Sequence, residues 1–256
     1  MGNWLGNSLA MDQVSSLMTH RTEGPILLCG PPGVGKFSFL TESLASVLPD
    51  GCIVTVDGPS GVGAVREAVA ECSFLPSGPY RAVVIRDAHL MSAQAQDGLL
   101  KSMEEPPNGS VFFVVADDPL FLSEPMLSRF RRTIRWNAIS SDDLTLLTSD
   151  SFAVRASFGS AADCITATSM LGLKDMYELC ILSDWPKAAL MAPVPRVLKD
   201  PDIGISSRRC IANTMRLAGR SSRYGRHLLE MASSILRIPT LNIPMRWTSA
   251  AASASV

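Results

Sequence analysis

Seven residues near the N-terminus carry the clearest chemical signal in this sequence. They directly follow an apolar run, and they are Gly30, Pro31, Pro32, Gly33, Val34, Gly35 and Lys36. Glycines let a backbone wrap around a phosphate, so that its N–H groups and the start of the next helix point at the anion. A lysine at this spacing reaches the outer phosphates of a nucleotide. The seven residues therefore predict a phosphate-binding loop, between a strand and a helix, that could hold ATP or ADP.

The residue after the lysine departs from this pattern. Phosphate loops place a Ser or Thr there, because its hydroxyl ligates the magnesium ion of the nucleotide. This chain has Phe37, which offers no ligating atom, although the next residue, Ser38, keeps a hydroxyl that could touch a phosphate. One magnesium ligand is therefore predicted to be missing.

A second departure follows the apolar residues 83–85. The sequence continues with Arg86, Asp87, Ala88 and His89, which resembles the Walker B segment of AAA+ proteins, Asp-Glu-Ala-His. In that family the first acid holds magnesium and the second polarises the attacking water. Here Arg86 takes the first position, and Asp87 takes the second with one methylene fewer. The resemblance implies that magnesium is not held in this chain's own site; alternatively, Arg86 replaces the charge of the ion and keeps nucleotide bound without hydrolysis.

Three further segments, in a fixed order, indicate the family. They are the run GLLKSMEEPP at 98–107, the pair Asp118-Pro119, and the triplet Leu127-Ser128-Arg129. Together they resemble bacterial clamp-loader subunits, in which a Leu-Leu-Lys-x-Leu-Glu-Glu-Pro-Pro run precedes a Ser-Arg-Cys motif. The resemblance spans roughly residues 8–170.

The resemblance assigns a role to one arginine. In clamp loaders the arginine of Ser-Arg-Cys is a finger that reaches the ATP site of the adjacent subunit, and here it corresponds to Arg129, with Phe130 in place of the cysteine. Arginine suits this task because its planar fork can stabilise charge on a transferred phosphoryl group. The alternative is a surface arginine in a basic stretch.

Two sensor positions of the family are also altered. Ala116 and then Asp117 stand where a polar sensor is expected after a strand, and Ala162 replaces the arginine of the lid segment 156–163. Lost metal ligands and sensors beside a retained finger resemble the delta-prime subunit, a stator that does not hydrolyse ATP. The resemblance implies a non-hydrolysing subunit of a DNA-replication clamp loader.

The partners implied by this resemblance are the other clamp-loader subunits of a hetero-pentamer, a sliding clamp and primer–template DNA, with no membrane. Two alternatives stay open at this point. One is an autonomous AAA+ ATPase with an atypical site, and the other is an AAA+-derived interaction adaptor.

Short apolar strands alternate with helices through the first half of the chain, which predicts an α/β fold with a parallel sheet covered on both faces. The predicted strands lie at 25–29, 53–56, 82–85, 111–115 and 133–136, and the predicted helices at 8–20, 37–47, 62–72, 93–105 and 124–131.

Strand signals stop after residue 137, and helical patterns follow. We therefore divide the chain into an AAA+ P-loop α/β domain (1–137), a small helical lid (138–172), a helical collar-like C-terminal domain (173–247) and a flexible tail (248–256). Within these parts Ser140 is a predicted helix N-cap, and amphipathic helices are predicted at 206–218 and 225–237, after a proline-rich break at 191–201.

Composition restricts the class of protein. Of the 256 residues, 46% are hydrophobic and 18% charged, which excludes a disordered chain. No apolar run approaches the roughly 20 residues of a membrane span, and no signal peptide is evident, so a cytoplasmic location is expected (the host cytoplasm if the protein is viral). The six cysteines are scattered, which predicts buried free thiols and no metal site.

Charge is distributed unevenly. Residues 1–186 contain 12 Lys and Arg against 21 Asp and Glu, whereas residues 187–256 contain 11 against 3. A basic C-terminal part predicts an anionic surface nearby, either DNA or an acidic subunit. The alternative is a solvated helix face.

Overall fold

The fold was analysed in a computed structural model that describes residues 4–19, 24–181, 185–191, 195, 198, 204–238 and 241–254. The chain divides into two compact units, Met1–Ala138 and Ile139–Val256. The division falls one residue after the predicted end of the α/β domain.

The first unit alternates strands and helices. In chain order its elements are α1 (Ser8–Thr19), β1 (Ile26–Cys29), α2 (Lys36–Val47), β2 (Ile53–Asp57), α3 (Gly61–Glu71), β3 (Arg81–Arg86), α4 (Ala93–Glu104), β4 (Ser110–Ala116), α5 (Glu124–Leu127) and β5 (Arg132–Arg135).

The five strands form one sheet in the order β2-β3-β4-β1-β5, and all neighbouring strands are parallel. Every residue of β1 and β4 is buried, because the sheet is covered on both faces. The predicted fold class is confirmed. Parallel strands all end at the same edge, so the residues that follow β1, β2, β3 and β4 are brought to one side of the sheet.

Helix α5 is shorter than predicted. It ends at Leu127, not at Arg131, because the N–H of Arg131 donates to the carbonyl of Pro25 at 3.0 Å and has already joined the sheet edge. The segment before α5 is fixed by the buried side chain of Gln96, which donates to the carbonyl of Phe121 and accepts from the N–H of Ser123. Arg129 therefore lies in a tight connection between α5 and β5.

The second unit is helical in its described part. Its helices are α6 (Ser141–Leu144), α7 (Ser151–Ser157), α8 (Ala161–Ser169), α9 (Leu173–Ile181), α10 (Trp185–Met191), α11 (Ile205–Gly219), α12 (Gly225–Arg237) and α13 (Ile243–Ala254). Ser140 caps α6, as predicted, by accepting from the N–H of Asp143. Most of the proline-rich break at 191–201 lies outside the described residues.

Helices on both sides of residue 172 share a single apolar core. A buried ion pair reinforces this arrangement: Asp163 of α8 is 2% exposed and receives a forked pair of bonds from Arg209 of α11. The described helices before and after residue 172 therefore pack as one unit. The separation into a lid (138–172) and a collar-like domain (173–247) stays a prediction.

The prediction of a flexible tail at 248–256 is wrong as far as Ala254, the last described residue. These residues continue helix α13, in which Ala250 and Ala251 are buried. Alanine is the best helix former, and its small side chain allows close helix packing. The composition suggested fraying, but the alanines extend the buried side of the helix that carries Trp247.

The six cysteines are all free and buried, as the sequence predicted. Among the residues that the structure describes, no helix is long and apolar enough to cross a membrane, and no group of three or more His, Cys, Asp or Glu could hold a metal ion.

Replacing Trp247 tests whether α13 is part of the second core. Trp247 is fully buried and packs edge-to-face on Trp185, with ring centroids 5.6 Å apart. We expect Trp247→Ala to lower the free energy of unfolding by about 3–5 kcal/mol, measured by urea denaturation followed by circular dichroism. The control is Met245→Ala on the exposed side of the same helix, which should change it by less than about 0.5 kcal/mol. Equal effects of the two variants would show a frayed tail.

Candidate nucleotide site

The glycine-rich loop connects β1 to α2, as the sequence predicted, at the edge where the parallel strands end. Gly30, Gly33 and Gly35 have φ values of 147°, 72° and 96°, which other residues rarely adopt. At Gly30 space is limiting as well, because a Cβ atom would lie 2.1 Å from the carbonyl oxygen of Trp136. Helix α2 begins at Lys36, so its free N–H groups face the loop.

The side chain of Lys36 turns back onto the loop. Its Nζ donates to the carbonyls of Gly30 at 2.6 Å and Pro31 at 2.7 Å, and to Oδ1 of Asp117 at 3.0 Å. The residue is only 5% exposed. Burial lowers the pKa of Lys36 by disfavouring the ammonium form, and the charge of Asp117 opposes this effect.

Asp117 is a site residue that sequence reasoning missed. In the sequence it belongs with Ala116 to an altered sensor position, but its carboxylate lies between Lys36 and His89, with His89 Nε2 at 3.4 Å from Oδ2. Asp117 directly follows β4, the neighbour of β1 in the sheet. That placement, an acid immediately after a strand that is apolar from Val111 to Ala116, was the available signal.

The two altered magnesium positions touch each other. The guanidinium of Arg86 lies over the ring of Phe37, 5.2 Å from its centroid, at a distance typical of cation–π contacts. Arg86 Nε also lies 3.3 Å from Asp87 Oδ2 and 3.8 Å from Asp57 Oδ1. Asp57, at the end of β2, was not singled out from the sequence. Ser38 is the third residue of α2, so the predicted loop residues all lie in one place.

The loop fits a phosphate group but the site does not fit magnesium. Glycine backbone and a helix start supply N–H donors, and Lys36 is next to them, so residues 30–38 would hold the phosphates of a nucleotide. Mg²⁺ needs oxygen ligands in near-octahedral geometry. Arg86 and Phe37 supply none, and the positive charge of Arg86 repels a cation.

Arg129 lies apart from these groups. Its Nη1 donates to the carbonyl of Pro125 and to the hydroxyl of Ser128, and its Nη2 pairs with Glu104 at 2.5 Å. Its side chain is 30% exposed, and its buried Nε has no hydrogen-bond partner among the described residues. In this structure the arginine is therefore bound to its own chain, at the end of α4.

Comparisons with known proteins agree on one class. A family model described as DNA polymerase III, delta subunit, matches residues 44–135. Replication factor C subunit 4 of Saccharomyces cerevisiae is 24% identical over 149 residues, and DNA polymerase III subunit tau of Bacillus subtilis is 30% identical over 83 residues. Over these residues the chain is similar to subunits of the DNA-replication machinery, in agreement with the resemblance to clamp-loader subunits in its sequence.

The matched regions differ in extent. The alignment with the yeast subunit covers 55% of this chain and 46% of that protein, and the alignment with the tau subunit covers 31% of this chain and 15% of that protein. The chain thus spans less than half the length of these relatives. Among solved structures, a DNA polymerase III gamma subunit-related protein of Thermotoga maritima has a TM-score of 0.61 at 16% identity, covering 96% of this chain and 98% of that one. The RuvB Holliday junction branch migration motor of the same organism scores 0.51 at 18% identity, covering 68% and 64%. These likenesses show the fold.

The close approach at Gly30 can be tested by adding a methyl group. We expect Gly30→Ala to lower the free energy of unfolding by more than about 3 kcal/mol, because its Cβ would overlap the carbonyl of Trp136. The control is Gly63→Ala, where a Cβ in helix α3 meets nothing within 4 Å and should stabilise the protein by about 0.5–1 kcal/mol. Thermal and urea denaturation would measure both, and a neutral Gly30→Ala would contradict the described loop geometry.

Magnesium should contribute little to nucleotide affinity. We expect the Kd for ADP, measured by isothermal titration calorimetry, to change by less than about twofold between EDTA and excess Mg²⁺, because neither Phe37 nor Arg86 can ligate the ion. The double variant Phe37→Thr, Arg86→Asp should recover tighter binding with Mg²⁺. A strong magnesium dependence of the wild-type chain would refute this description of the site.

Proposed function

We propose that this chain is a non-hydrolysing, stator-like subunit of a DNA-replication clamp loader, which donates Arg129 as a finger to a neighbouring ATPase subunit. The observation that carries the proposal is the contact between Phe37 and Arg86. Both positions that supply magnesium ligands in the family are occupied by groups that cannot bind the ion, and these groups stabilise each other.

Hydrolysis would also lack its base. Asp87 stands where the family has the glutamate that polarises water, but it is shorter, and its carboxylate lies 3.3 Å from the guanidinium of Arg86. This ion pair engages the carboxylate of Asp87 with the guanidinium, so the carboxylate is less available to polarise a water molecule. The positions of Phe37, Arg86 and Asp87 therefore favour a stator over an autonomous ATPase.

The finger role draws on a partly exposed guanidinium at the end of a short helix. Arg129 is held by Glu104, which comes from the GLLKSMEEPP run, by the carbonyl of Pro125 in α5 and by the hydroxyl of Ser128 just after it. To act in trans, Arg129 would exchange the carboxylate of Glu104 for a phosphate of the adjacent subunit. Both anions suit the same planar fork.

The partners of the protein would be the other subunits of a hetero-pentamer, a sliding clamp and primer–template DNA. Its location in the cell would be the cytoplasm. Residues 30–38 would hold ATP or ADP without a magnesium ion of their own. The basic arginines of α11 and α12 would face DNA or an acidic neighbour. An AAA+-derived adaptor would need no arginine finger. A test of Arg129 therefore distinguishes an adaptor from a stator.

The finger is tested in a reconstituted loader that contains the hydrolysing clamp-loader subunit from the same genome. We expect Arg129→Ala to leave the complex assembled and to reduce ATP turnover at the neighbouring site by about 10³–10⁵, the range for fingers in P-loop proteins. The loss in the whole loader would be smaller, since only one site is affected. Lysine at position 129 should not restore activity, because a point charge lacks the fork.

Glu104→Gln is the matched control. It breaks the same ion pair but keeps the arginine, so it should retain or raise the turnover of the neighbour. If Arg129 only ties α5 to α4, both variants should behave alike, and that result would overturn the finger assignment. Unchanged turnover with Arg129→Ala would do so as well.

A further inference from the structure

The ammonium group of Lys36 has no donor left for a ligand. An ammonium carries three N–H donors, and three acceptors surround it: the carbonyls of Gly30 and Pro31 and the carboxylate of Asp117. Two of these acceptors belong to the phosphate loop itself. The third is a charged oxygen, as a nucleotide phosphate would be.

Asp117 is held in this position from several sides. Its backbone N–H donates to Nδ1 of His89 at 3.3 Å, and its backbone carbonyl accepts from the N–H of Gly30 at 3.2 Å. Its second carboxylate oxygen lies 3.4 Å from His89 Nε2. The carboxylate is thus fixed beside the loop by β4 and His89, with 28% of the side chain exposed.

The other charged groups beside the loop also oppose the binding of a phosphate. Lys36 and Arg86 form ion pairs with the carboxylates of Asp57, Asp87 and Asp117. Each cation therefore already has an internal counter-charge. An incoming phosphate would have to compete with these carboxylates for Lys36 and Arg86, and its negative charge would be repelled by theirs.

We propose that Asp117 is an internal competitor for nucleotide phosphate: its carboxylate ligates Lys36 when no nucleotide is bound, and a nucleotide must displace it. Asp117 thereby sets the affinity of the loop for nucleoside di- and triphosphates. The inference rests on the nucleotide site of the proposed function, and it is independent of the finger.

The experiment compares the affinity of the full chain for ADP with that of Asp117→Asn, by calorimetry in EDTA. Asparagine keeps the size of the side chain and an acceptor for Lys36 but removes the negative charge. We expect Asp117→Asn to bind ADP at least about tenfold more tightly, since the repulsion of one nearby charge is removed. Adding Lys36→Ala to this variant should abolish the gain.

Asp118→Asn is the matched control. Asp118 is the adjacent carboxylate, and it accepts from the N–H of Leu120 at 3.0 Å, a bond that asparagine can also form. We expect Asp118→Asn to stay within about twofold of the wild-type affinity, because its hydrogen bond lies away from Lys36. A gain equal to that of Asp117→Asn would show a general charge effect and overturn the proposal.

Stability provides a second measurement. Asp117→Asn should have a lower melting temperature than the wild type, because the buried Lys36 loses its counter-charge. Inorganic pyrophosphate should raise the melting temperature of this variant by more than it raises that of the wild type. Asp117→Ser serves the same comparison if the asparagine variant does not fold. Unchanged or weaker ADP binding in the variants, or no measurable binding by any form, would overturn the proposal. None of these results bears on Arg129, whose test is the turnover of the neighbouring subunit.

Discussion

The ammonium group of Lys36 is buried, and a buried charge must find its partners inside the protein. The phosphate loop meets this requirement by folding its own carbonyls around the side chain, while β4 delivers the carboxylate of Asp117 from the adjacent strand. The positive φ values of the loop, the close approach of Trp136 to Gly30, and the placement of His89 all serve this arrangement. Although the shape of the loop suits an anion, groups of the protein itself already accept all three hydrogen bonds of Lys36.

The sequence block that resembles clamp loaders has a structural task in this chain. Glu104 lies at the end of α4, within that block, and it is the counter-charge of Arg129. Gln96, earlier in the same helix, fixes the backbone that leads into α5. One helix therefore controls both the path of the chain to the proposed finger and the orientation of its guanidinium.

The sheet could be predicted because short apolar strands alternate with helices, and because a glycine-rich loop has few alternatives. The sequence also located Phe37, Arg86 and Asp87. It could not show that Arg86 lies on Phe37, or that Asp117 faces Lys36, since those contacts join separate strands and helices. The tail was mispredicted for the same reason: composition describes Ala and Ser locally, whereas burial beside Trp247 depends on the partner helices.

The contact between Phe37 and Arg86 has a consequence for magnesium binding at the site. Arg86→Asp alone would place a third carboxylate beside Asp57 and Asp87 and remove the cation that balances them. A hydroxyl at position 37 alone would leave the guanidinium where a metal ion would sit. Neither single step restores magnesium binding, and the first is opposed by charge repulsion. Under the proposed function, residues 37 and 86 are therefore coupled, because magnesium could bind at this place only if both residues changed together.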